Sequence, residues 1–157
     1  MDFLIVSGLS GAGKSQAANF LEDLGYFCVD NMPVALLSRF ADFCQDARGR
    51  FEKVALVTDV RSQSSFDELF TALDELSGKG ISYHILFMEA PTDVIVRRYK
   101  ETRRRHPLLR TGGSIQAAVE QERRQLLPVR ERADWVIDTG RTTLGQLHNE
   151  IQRLFTA

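Results

Sequence analysis

Eight residues near the N-terminus, GLSGAGKS from Gly8 to Ser15, follow directly on the apolar run FLIVS at 3–7. Glycine loses the most backbone freedom on folding, so a loop with three glycines in eight positions is costly unless a bound group offsets the loss. The spacing Gly8-x-x-x-x-Gly13-Lys14-Ser15 fits the Walker A pattern in full, with strand-like sequence before it and helix-like sequence after it. Across Gly8, Leu9, Ser10, Gly11, Ala12 and Gly13 the small residues let backbone N–H groups converge on a phosphate chain. The N-terminus of the following helix adds a positive dipole end. Lys14 would neutralise β- and γ-phosphate oxygens, and the Ser15 hydroxyl would ligate Mg²⁺. A nucleoside triphosphate is the ligand that this segment implies.

The rest of the chain supplies the scaffold such a loop needs. FLIVS (3–7), YFCVD (26–30), KVALVTDV (53–60), YHILFMEA (83–90) and DWVIDT (134–139) read as five strands. All but the last are nearly continuous apolar runs, as in a parallel sheet covered on both faces. Helical patterns lie between them at 14–24, 34–47 and 64–77, and a last one covers 143–155. The second carries Val34, Leu36, Leu37, Phe40, Phe43 and Cys44 along one face; the third carries Phe66, Leu69, Phe70, Leu73 and Leu76. Alternating strands and helices predict an α/β domain of the P-loop NTPase kind, with a doubly wound, parallel, five-stranded sheet occupying all of 1–157. From Pro91 to Ala133 two helical patterns flank HPLLRTGGS, where a simple crossover needs only one. The extra piece is expected to form a kinase-like lid over the site.

Composition narrows the partners. With 43% apolar and 26% charged residues the chain is ordinary for a globular protein, and its net charge of -1 gives no overall pull toward nucleic acid or anionic membrane. Cys28 and Cys44 lack metal or redox spacing and are expected to be reduced packing residues. No apolar stretch approaches the ~20 residues of a membrane span. The N-terminal MDFLIVS has no basic region and is too short for a signal peptide, so a cytoplasmic location is the expectation.

Further chemistry is placed at the strand ends and in the lid. Asp59 closes the apolar run VALVTD as a Walker B carboxylate would, orienting a water on Mg²⁺ beside Ser15; the plainer alternative is a strand-end cap. Arg61 would face the nucleotide or pair with Asp59. Asp30 and Asn31 in VDNMP end the second strand on the side where open α/β sheets bind ligands, which makes Asp30 the candidate base, although a turn would use the same residues. Arg97, Arg98, Lys100, Arg103, Arg104, Arg105 and Arg110 crowd the stretch VRRYKETRRRHPLLR. They read as lid arginines reaching phosphates, as a solvated helix face, or as an RNA-binding patch. His84 is expected to be packed and His148 exposed. His106, before Pro107 in the lid, is the histidine of interest. No Asn-Lys-x-Asp motif marks a guanine preference.

GLSGAGKS, DLGYFCVDNMP, DVRS, RRYKETRRRHPL and RADWVIDT, in this order, resemble the bacterial RapZ family of nucleotide-binding proteins, the YvcJ-like group. The resemblance covers essentially the whole chain. It implies a P-loop protein related in fold to small-molecule kinases that binds ATP and GTP with Mg²⁺ and hydrolyses them slowly. In some bacteria such proteins are adapters presenting a small regulatory RNA to an endoribonuclease. The family's phosphate loop matches Gly8 through Ser15, and its second nucleotide segment, assigned to GTP, matches Asp59, Val60, Arg61 and Ser62. With Lys14, Asp59 and Asp30 as the catalytic candidates, Ser15 and Asp59 at the metal, and Arg97 and Arg103 on the nucleotide, the expected site is complete. The family's C-terminal domain, tied to RNA and sugar phosphates, has no counterpart in these residues, so RNA and endoribonuclease contacts are expected to need it. An oligomer is compatible with the sequence. The competing reading is a small-molecule kinase that passes the ATP γ-phosphate to a metabolite. The stretch after Asp30, NMPVALLSRFADF, is poor in the polar groups that such an acceptor would want.

Overall fold

The computed structural model describes residues 2–47, 51–58, 63–102, 106–108 and 113–156. Among the described residues five strands, β1 (Asp2–Gly8), β2 (Phe27–Asp30), β3 (Lys53–Val57), β4 (Ser82–Glu89) and β5 (Trp135–Asp138), form one sheet in the order β2-β3-β1-β4-β5. Every pairing is parallel, with Phe3 facing both Val54 and Tyr83, and Gly8 facing Met88. Six α-helices among the same residues connect and follow them: α1 (Lys14–Asp23), α2 (Leu37–Asp46), α3 (Gln63–Gly78), α4 (Thr92–Thr102), α5 (Ile115–Glu131) and α6 (Leu144–Phe155).

The strand order fixes where the helices go. The chain steps from β1 out to the β2 edge, returns through β3, and then crosses to β4 and β5. Right-handed crossovers therefore place α1 on one face and the later connections on the other. In agreement, α1 packs against α6, while α2 packs against α3. Phe3, Ile5, Leu56, Ile85, Leu86 and Phe87 lie in the buried core between these layers. Each contributes roughly 1.5–3 kcal/mol by leaving water. The order reverses at β1, so the crevice beyond its C-terminal end is the topological switch point of the sheet, and Gly8–Ser15 opens into it.

Two local expectations change. YFCVD was expected to be covered on both faces, but β2 is an edge strand and Phe27 is 46% exposed. A continuous apolar run does not distinguish an edge strand that leans on neighbouring rings, here Phe51 at 4.9 Å, from a central one. The pattern at 34–47 also divides. Val34–Leu36 forms a 3₁₀ turn before α2 begins, which rotates Leu36 and Phe43 outward, while Leu37, Ala41 and Cys44 are buried. Cys28 and Cys44 are free thiols. Among the described residues no helix is long and apolar enough to cross a membrane.

Candidate functional site

The glycines of the loop sit where side chains could not. Gly8 has φ 144°, and a Cβ there would fall 2.2 Å from the Met88 carbonyl oxygen, because β1 runs against β4 up to this residue. Gly11 (φ 83°) and Gly13 (φ 98°) turn the chain through left-handed geometry, and Gly13 caps α1. Leu9 and Ala12 are buried beneath the loop as apolar anchors. Leu9 N–H donates to the Met88 carbonyl at 3.0 Å. The loop is thus strapped to the end of β4, while α1 presents its N-terminal amides to the crevice.

Lys14 lies across this loop, its Nζ donating to the Gly8 carbonyl oxygen at 2.9 Å. The exposed Ser15 follows in the first turn of α1. Both line a cleft of about 560 Å³ together with Gly11, Gly13, Arg98 and Thr139, and the cleft continues along Thr142, Thr143 and Leu144 at the start of α6. That volume suits a ligand of nucleotide size. Its outer wall is a well-formed helix start, where the Thr143 hydroxyl accepts from Gln146 N–H and the Gln146 side chain accepts from Thr143 N–H.

Arg98 joins the two ends of the cleft. Its guanidinium donates to the Gly11 carbonyl at 2.8 Å, to the Thr139 hydroxyl at 3.1 Å and to the Thr139 carbonyl at 2.9 Å. The Thr139 hydroxyl in turn donates to the Ala12 carbonyl at 2.8 Å. One planar fork holds the phosphate-type loop and the end of β5 in register, a geometry that a lysine could not reproduce. Arg97, one residue earlier on α4, is exposed and lies outside the cleft lining. Asp30 is also exposed, at the end of β2, two strands away from the loop and so about 10 Å from β1. Asp59, Val60, Arg61, Ser62 and Arg103 lie outside the described residues, as do Arg104, Arg105 and Arg110.

Beneath the loop lies a second arrangement. Glu122 on α5 is only 1% exposed, and its carboxylate accepts from Ser10 N–H at 2.8 Å and from the Ser10 hydroxyl at 2.6 Å. His106, also 1% exposed, places Nε2 3.2 Å from the same carboxylate, and its Nδ1 accepts from Leu108 N–H at 3.0 Å. Because Nδ1 is an acceptor, the ring proton sits on Nε2 and points at Glu122. Burial alone would push the Glu122 carboxyl up. The hydrogen bonds from His106 and Ser10 outweigh it and hold the group below its ordinary range. Two contacts fix α5 to the end of β4: Arg130 donates to the Glu89 carboxylate at 2.9 and 3.0 Å, and Arg123 donates to the Ala90 carbonyl at 2.8 Å.

Sequence reasoning found the loop, included Ser10 in it and singled out His106, but it missed Glu122 and Thr139. Glu122 left a signal. It falls on the buried stripe Ala118, Val119, Leu126 and Val129 at helical spacing, and a carboxylate in such a stripe needs partners. Thr139 left none. Of the remaining histidines, His84, expected to be packed, is exposed, its ring tilted against Trp135 at 5.4 Å, and His148, expected to be exposed, is half-buried with its ring 4.9 Å from that of Phe20. Among the described residues no cluster of His, Cys, Asp and Glu could hold a metal ion by itself.

Comparison with known proteins gives the family and the fold. A family model described as the RapZ-like N-terminal domain matches residues 1–157. A protein named nucleotide-binding protein from Halothermothrix orenii is 45% identical over 157 residues, covering 100% of this chain and 54% of that protein. One of the same name from Ruminiclostridium cellulolyticum is 46% identical over 155 residues, covering 99% and 53%. The chain thus spans about half the length of these curated relatives. Among solved structures, shikimate kinase from Bacteroides thetaiotaomicron superposes with a TM-score of 0.62 at 16% identity, covering 99% of this chain and 98% of that one. A gluconokinase from Sinorhizobium meliloti gives 0.58 at 16% identity, covering 98% and 93%. At such identities the likeness concerns the fold, which is that of the P-loop kinases.

Proposed function

The chain belongs to the RapZ-like N-terminal domain family, and from that premise we propose that it binds a nucleoside triphosphate with Mg²⁺ and hydrolyses it slowly. The observation that carries this reading is the continuous cleft running from Lys14 and the N-terminus of α1, past Arg98, to the start of α6. The glycines leave the loop backbone bare on the cleft side: a Cβ on Gly13 would meet nothing closer than 3.7 Å. That is a cradle that phosphate oxygens fit. Lys14 and the amides of α1 would hold the phosphates, Ser15 and Asp59 would hold the metal, and the Thr142–Leu144 wall would flank the base. Bound Mg²⁺ supplies charge neutralisation of the phosphate oxygens. Arg98 acts here as a brace, because three of its hydrogen bonds go to protein.

ATP and GTP are both proposed as ligands, since no described residue distinguishes the bases by a motif. Slow turnover is proposed because fast phosphoryl transfer needs a positioned nucleophile as well as charge stabilisation. Asp30, the candidate base, is exposed at the far side of the sheet end. Presentation of a small RNA to an endoribonuclease is proposed for the longer protein, given that this chain spans about half of its relatives. The alternative, a small-molecule kinase, draws support from the fold alone.

The test is a nucleotide titration with and without Mg²⁺, followed by ADP release measured against a panel of sugars, sugar phosphates, nucleosides and nucleotides. Lys14→Ala is expected to abolish binding while leaving the fold intact, because its charge faces the cleft. Unchanged affinity in that variant would sink the reading. Acceptor-stimulated turnover on the order of 1–100 per second would establish a kinase instead.

A further inference from the structure

The buried group under the loop has no part in the cleft chemistry just described. Ser10, Glu122 and His106 come from three separate parts of the chain: the loop, α5, and the connection between α4 and α5. The order of partners excludes a hydrolytic triad. In a triad the histidine stands between hydroxyl and carboxylate, whereas here the carboxylate stands in the middle and the Ser10 hydroxyl donates straight to it. Among the described residues no imidazole faces the hydroxyl, and all three side chains are buried. The Tyr99 ring lies 5.3 Å from the His106 ring and would be 3.1 Å from a Cβ on Gly11, so aromatic packing closes the remaining side.

We infer that Glu122 is a positioning residue for the phosphate-binding loop, holding its outer turn through Ser10 and tying that turn, through His106, to the α4–α5 connection. The inference rests on the nucleotide-binding reading for its purpose, though not for its geometry. A glycine-rich loop has many conformations to lose, and a ligand that must organise it forfeits affinity. Two bonds from one carboxylate to a single residue fix both the backbone and the side chain of Ser10. His106 then passes the constraint on, since its Nδ1 accepts from Leu108 N–H in the connection. The loop and the His106–Leu108 segment become one unit, and a ligand that favours one arrangement of the loop also sets that segment.

The carboxylate oxygens divide the work in a way that makes a clean substitution available. Ser10 N–H and His106 Nε2 both address Oε1, and only the Ser10 hydroxyl addresses Oε2. Glu122→Gln can therefore keep two acceptor roles on its carbonyl oxygen and donate from its amide to a rotated Ser10 hydroxyl. Glu122→Ala keeps nothing.

The experiment is amide hydrogen exchange on the free protein, paired with ATP titration, for wild type, Glu122→Ala, Glu122→Gln and His106→Ala. In Glu122→Ala the amides of residues 10–13 and of Leu108 are expected to exchange at least tenfold faster, with β1 and β3 amides unchanged. ATP affinity should fall about tenfold or more below the unfolding transition. Glu122→Gln should restore both to within about threefold. If Glu122→Ala does not fold, His106→Ala carries the test, since His106 is buried behind Glu122 and cannot touch a bound phosphate. It should speed exchange at Leu108 and at the loop together. Exchange that is unchanged at the loop, or faster everywhere alike, overturns the inference. Wild type that folds but binds no nucleotide overturns the nucleotide reading, while the exchange pattern still decides the role of Glu122.

Discussion

Gly8 and Gly11 belong to the same loop and are both glycine, yet substitution by alanine should affect them very differently. At Gly8 an added Cβ would lie 2.2 Å from the Met88 carbonyl oxygen and 2.7 Å from the Met88 nitrogen. Those atoms belong to β4, which is paired with β1 along its length, and the same carbonyl accepts from Leu9 N–H. Relief would require prising the end of β1 away from β4, so the loss should be on the order of 4 kcal/mol, in the range reserved for a severe named defect. At Gly11 the nearest atom is the Tyr99 ring edge at 3.1 Å, which can tilt. There the main cost is a left-handed φ of 83°, about 1–2 kcal/mol for an L-residue. Against a total stability of about 5–15 kcal/mol, Gly8→Ala consumes a large share and Gly11→Ala a small one. Urea unfolding followed by circular dichroism would measure both. With a slope of roughly 2 kcal/mol per molar urea, the midpoint should fall by about 2 M for Gly8→Ala and by less than about 1 M for Gly11→Ala. Equal midpoints, or a Gly8→Ala protein within about 1 kcal/mol of wild type, would refute the claim that close backbone approach dictates this glycine.

Two further outcomes follow from the same geometry. Thr139→Val removes the donor to the buried Ala12 carbonyl and one of the acceptors of Arg98, so it should cost about 1–3 kcal/mol, with Thr139→Ser recovering most of it; denaturant midpoints for the pair check this. Glu122 contributes to acid stability. Its folded value lies below the ordinary 4.5, so its contribution is complete above about that pH and is lost as pH falls through the lowered folded value. Glu122→Gln should flatten the loss of stability with falling pH in that acid window. A slope identical to wild type would show that Glu122 is not held charged by the fold.

What the residues determined by themselves was the frame and the loop within it. Apolar runs of strand length alternating with helical stripes leave little choice but a parallel α/β sheet, and the Gly8–Ser15 spacing is local information that needs no partner to be legible. The strand order, the edge position of β2 and the outward turn of Phe43 depended on packing across the whole sheet. So did the joining of residues far apart in sequence, such as Ser10 with Glu122 and Arg98 with Gly11 and Thr139. Periodicity records which side of an element is buried but not what it is buried against. A buried carboxylate can be recognised on a helix stripe, yet the serine it holds is chosen only when α5 docks beneath the loop.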